Sequence, residues 1–164
     1  MTFGDVLAVV AALVGICLSA WTTLLAFSML FPGRAEQAAA SIRNSPSGIG
    51  LRGFLLTLVM VIAAIVLFKI PQPLFKAIAW LDLLTMLSLA ALGGSGLAMV
   101  MARRVRDQEP QLSAYAALMR GAALVVVPGL LPVFGWFLVA PIMLVVGIGA
   151  GTKALRLAPV AGQV

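Results

Sequence analysis

Two charged residues stand inside otherwise apolar stretches, Asp82 and Arg120. An ionised side chain in a membrane-spanning segment costs a few kcal/mol, so it must snorkel, pair or work. Asp82 lies about nine residues past Pro73, or about 13 Å along a helix. Arg120 lies a similar distance into its own apolar run, counted from the opposite side. The two depths meet near mid-membrane. Three roles follow for Asp82. It can reach outward to Lys69 or Lys76. It can pair with Arg120, neutralising both charges and fixing two helices. It can serve a proton or ion relay, although relays generally need a second titratable station and no other carboxylate lies deep in a span.

Other familiar chemistry lacks its residues. There is no histidine and only one cysteine, Cys17. Haem, zinc and iron–sulfur sites lose their usual ligands, and serine or threonine has no imidazole to activate it. No cofactor is expected, and one cysteine allows no internal disulfide. Gly93-Gly94-Ser95-Gly96 is not a phosphate loop, because it lies within an apolar run with no following Lys-Ser/Thr. Neither a nucleotide fingerprint nor a catalytic triad is present. Cys17 reads as a buried apolar residue. Ile16 before it is not the small residue of a lipoprotein signal, and the apolar run is too long for a signal peptide.

The elements that position these residues follow from composition. Of 164 residues, 63% are hydrophobic and 10% charged, against about 25% charged in a soluble domain. Mean hydropathy is +1.16. A soluble domain of this size buries only about 70% of its unfolded surface and cannot hide so much apolar material. Disorder needs the opposite composition. The reading is an all-α, polytopic transmembrane helical bundle in a single domain. The net charge of +6 sits at the edges of apolar runs, which points to anionic lipid headgroups and not to nucleic acid.

Spans of about 20 residues suit a bilayer core of about 30 Å. They are expected at 6–31, 51–70 and 74–102. Ala35, Ala38, Ala39 and Ile42 have helical spacing between the first two, which suggests a short surface helix. Asn44 to Gly48 reads as a turn, Pro71-Gln72-Pro73 as a tight reversal, and Arg103 to Pro110 as a charged loop. From Pro110 to Thr152 the run is about 64 Å long as a helix, roughly twice the core. Pro128-Gly129, Pro132 and Gly135-Trp136 interrupt it. Five helices result, with the last two at 111–131 and 136–152. The alternative is four, with a kinked or re-entrant last segment. Five helices with the N-terminus outside place nine Lys and Arg on the inner side and two on the outer, which obeys the positive-inside rule better than seven to four. That count puts the C-terminus in the cytoplasm.

Small residues are the second group of interest. Gly93, Gly94, Gly96, Gly147 and Gly151, with Gly149, let helices approach closely. They serve packing within the chain or contact with a second copy. Arg103, Arg104 and Arg106 set topology and touch lipid headgroups, or dock an acidic cytoplasmic protein.

A series of short motifs resembles a known family. Phe31-Pro32-Gly33-Arg34 follows a Trp21-bearing helix, and Ile42-Arg43 leads to Pro46. Ile70-Pro71 precedes another apolar helix. Arg120-Gly121-Ala122 runs to Leu131-Pro132-Val133-Phe134-Gly135-Trp136-Phe137, then Gly147-Ile148-Gly149-Ala150. The series is similar to the membrane region of bacterial polymer-forming proteins of the bactofilin-like group, where that region accompanies a β-helical polymerising domain. This sequence has no β-repeat. The resemblance implies a small bacterial inner-membrane scaffold or anchor and transfers no catalytic residue. The functional expectation is therefore a non-enzymatic scaffold or accessory subunit, with a membrane protein or a second copy as partner. The alternative is a small oligomeric transporter or channel using Asp82.

Overall fold

In a computed structural model, described over residues 3–131 and 135–156, the chain is a bundle of α-helices, and no strand occurs among those residues. The helices are α1 (Phe3–Leu30), α2 (Pro32–Asn44), α3 (Pro46–Lys69), α4 (Pro73–Gln108), α5 (Ala114–Val126) and α6 (Ala140–Arg156). A tighter turn, Val127–Leu130, extends α5, and a wider one, Gly135–Val139, precedes α6. Pro141 supplies no amide hydrogen to that wider turn. Four helical stretches are long and apolar enough to cross a membrane: 27 residues from Gly4, 24 from Pro46, 36 from Pro73 and 22 from Gly135. Ala114–Leu130 is shorter.

Prolines place the breaks. Pro32, Pro46 and Pro73 each open a helix, where a missing amide hydrogen costs nothing. Only Ser45 separates α2 from α3, so the expected five-residue turn shrinks to one residue. Ser113 caps α5, its hydroxyl accepting from the Ala116 amide at 3.2 Å. The arginines expected in a loop after the third span belong to α4, which runs to Gln108. No glycine or proline follows Gly96 before Pro110, and Arg and Gln are good helix formers.

The segment between the first two spans is helical as expected, with one face against the bundle and Glu36, Ala40 and Arg43 exposed on the other. Ala35, Ala38 and Ala39 of α2 are fully buried. Its alanine face is thin enough to pack close to α4 and α6.

The last apolar run breaks near the expected place. α5 folds back along α4 after a short connection, with Gly121 against Ala98 and Ala102. α6 also packs on α4. Gly147 meets Ala90 and Gly93, and Gly151 meets Leu89, so numbers rise along α6 as they fall along α4. α5 is thus antiparallel to α4, while α6 crosses the α3–α4 hairpin, since Ile49 and Gly53 of α3 meet Gly149 and Val145 and numbers fall along α6 as they rise along α3 too. Among the described residues the last apolar run is split, as expected, into a shorter apolar helix, Ala114–Leu130, and a stretch of spanning length from Gly135. Pro132, Val133 and Phe134, part of the expected turn, lie outside the described residues, as does the tail beyond Arg156.

Candidate functional site

The densest convergence is a stretch of α4 from Leu92 to Ala102. Leu92, Gly93, Ser95, Gly96, Ala98, Val100 and Ala102 are all buried there. The Gly93–Gly96 patch faces three helices in turn. A methyl on Gly93 would strike the Gly147 carbonyl of α6, one on Gly94 the Leu24 side chain of α1, and one on Gly96 the Ala38–Ala39 backbone of α2. Ser95 is fully buried, and its hydroxyl donates to the Leu92 carbonyl at 2.7 Å. Every glycine singled out from sequence thus lies at a helix–helix contact within one chain. Gly149 lies against Ile49, and two more belong to the same system: Gly53 against Val145 and Gly149, and Gly121 against Ala98. Gly53 and Gly121 do not stand out as contacts in the sequence, because neither lies in a run like Gly93–Gly96 or at a four-residue spacing from another glycine.

Polar bonds tie the helices at the edges of this hub. The Trp21 indole of α1 donates to the Met119 carbonyl of α5 at 3.1 Å. Arg34 donates to the Ala154 carbonyl at 3.2 Å. Arg103 pairs with Glu36 of α2 at 2.9 Å. Arg104 and Arg106 are exposed and form no ion pair among the described residues.

The expected Asp82–Arg120 pair does not form. Arg120 instead donates to Glu109 at 2.7 Å, across the α4–α5 connection. Glu109 follows Asp82 by 27 residues along α4, about 40 Å of helix. The expectation failed on length. It measured both depths against one bilayer, but α4 has 36 residues, about 54 Å. Asp82 itself is half-buried, and its Oδ2 is shielded from solvent without a hydrogen-bond partner. Thr57 Oγ1 of α3 is in the same position.

Six further hydroxyls are occupied locally. Thr22, Thr23, Ser28, Thr85, Ser88 and Thr152 each donate to a carbonyl one turn earlier in their own helix. Such bonds satisfy a hydroxyl in an apolar setting but hold it away from substrate. Among the described residues no three His, Cys, Asp or Glu side chains gather as metal ligands would.

Compared with known proteins, the chain matches no family model, no curated protein and no solved structure.

Proposed function

We propose that this chain is a non-enzymatic scaffold, anchor or accessory subunit of a bacterial inner-membrane assembly. The observation that carries the reading is α1. Its most apolar 18-residue stretch contains no buried residue. Ala11, Gly15 and Ser19, spaced by four, are all exposed, and nothing lies within 4 Å of where a Gly15 methyl would sit. Elsewhere in the chain, small faces of this kind are closed by another helix. An open one offers close approach to a helix of a partner or a second copy. The locally bonded hydroxyls support a role without catalysis. The bactofilin-like resemblance supports an anchor.

The test is a photo-crosslinking side chain at Leu18, on the uncovered part of α1. Adducts of one discrete protein mass, abolished by Gly15→Leu, are expected. Lipid adducts alone, with clean monomers in mild detergent, contradict the proposal.

Asp82 supports a second reading, an oligomeric transporter or channel. A shielded carboxylate oxygen without a partner is costly, and a bound ion or proton would relieve it. Loss of flux in Asp82→Asn vesicles, with expression intact, is the outcome that favours it. The Arg34–Ala154 bond sets the end of α6 beside the start of α2, which supports the cytoplasmic C-terminal tail of the charge count, whereas the Gly147 and Gly151 contacts on α4 support an outer one. Labelling a cysteine placed at Gly162 in intact cells, in a Cys17→Ser background, decides between them.

A further inference from the structure

Beyond the scaffold reading, we propose that the chain holds one anionic phospholipid, with an acyl chain in a groove between α2, α3, α4 and α6 and its phosphate on Arg43 and Arg52. The groove has a volume of about 370 Å³ and is open on one side. This falls in the size range of small-molecule sites. Ile42, Ile49, Leu97, Ile142, Met143 and Val146 are among its lining residues, and all of the lining is apolar.

The lining selects the occupant. A peptide strand would bring amide groups that find no partner here, each at the cost of desolvation. A helix of a second copy, about 10–12 Å across with side chains, is too wide for a cleft of this volume. A hydrocarbon chain needs neither polar partners nor width.

Charge selects the headgroup. Arg43 directly follows Ile42 at the end of α2, and Arg52 lies one turn beyond Ile49 on α3. Both are exposed, and neither forms an ion pair among the described residues. Of the other arginines near the hub, Arg103 is engaged by Glu36, Arg120 by Glu109 and Arg34 by a carbonyl, while Arg104 and Arg106 form no ion pair among the described residues but lie about two turns or more past Leu97, the groove's α4 residue. Glu36, the acidic residue of α2, is held by Arg103. Two arginines without an ion pair among the described residues, one adjoining and one a turn from residues that line an apolar groove, match a phosphate joined to an acyl chain.

The test uses the full chain in bilayer discs of equal phosphatidylglycerol and phosphatidylcholine, released into mild detergent and weighed by native mass spectrometry. One retained phosphatidylglycerol per chain is expected, in clear excess over phosphatidylcholine. Arg43→Gln and Arg52→Gln should each lower its retention about fivefold, while Lys at either position preserves it. Ile142→Phe, which fills the groove, should also lower retention, and circular dichroism and elution volume report whether it folds. Arg104→Gln should retain the lipid. Equal retention of both lipids by the wild type overturns the proposal. So does a loss in Arg104→Gln equal to that in Arg43→Gln.

Discussion

The two halves of α4 are one continuous helix with opposite fates. From Pro73 to Ala91 only Ala79 is buried, and Ile78, Trp80, Leu81, Leu84 and Leu87 are exposed. From Leu92 to Ala102 seven residues are buried, most of them glycine, alanine or serine. The exposed half carries the larger apolar side chains. Hydrophobicity therefore does not decide which half meets protein. In lipid an exposed leucine loses nothing, so helices associate where small side chains allow backbone contact. The first, outer half has α3 beside it across the Ile70–Gln72 turn, where Phe68 and Trp80 meet edge to face at 5.8 Å, and meets α6 at Leu89 and Ala90. The inner half is packed by α1, α2, α5 and α6.

Breaking the hub should give the largest effect. Gly93→Leu drives a side chain into the α6 backbone and should cost about 3 kcal/mol or more, read as loss of a cooperative thermal transition in detergent. A smaller loss should follow Trp21→Phe, which removes the α1–α5 hydrogen bond. About 1 kcal/mol is expected, with unchanged helix content by circular dichroism. Glu109→Gln removes an exposed ion pair and should cost less than about 1 kcal/mol, an effect that shrinks further as salt is raised. The smallest quantity is a coupling. Asp82→Ala and Arg120→Ala should add without interaction in a double-mutant cycle, because about 40 Å of helix separates them. A clear coupling energy there would restore the mid-membrane pair.

Much of this contrast was legible before any coordinates. The apolar runs located every helix of spanning length, and the prolines marked the breaks to within a few residues. The Gly93–Gly96 patch stood out as a contact face. The depth of the charges was not legible, because α4 outruns a bilayer and its end is set by Pro110, well past its apolar part. Nor was the closing of Arg120 onto Glu109, which depends on α5 folding back at once along α4.

The central claim is that close packing of small residues on the inner half of α4 holds the bundle together, while its outer half faces lipid. The most direct test compares one substitution at two places on that helix. Ala98 is fully buried against Gly121, whereas Ala77 is exposed. Thermal unfolding in lipid discs should show Ala98→Leu destabilised by about 1–3 kcal/mol, with Ala77→Leu within about 0.5 kcal/mol of the wild type. Equal losses at the two positions, or a larger loss at Ala77, would contradict the account.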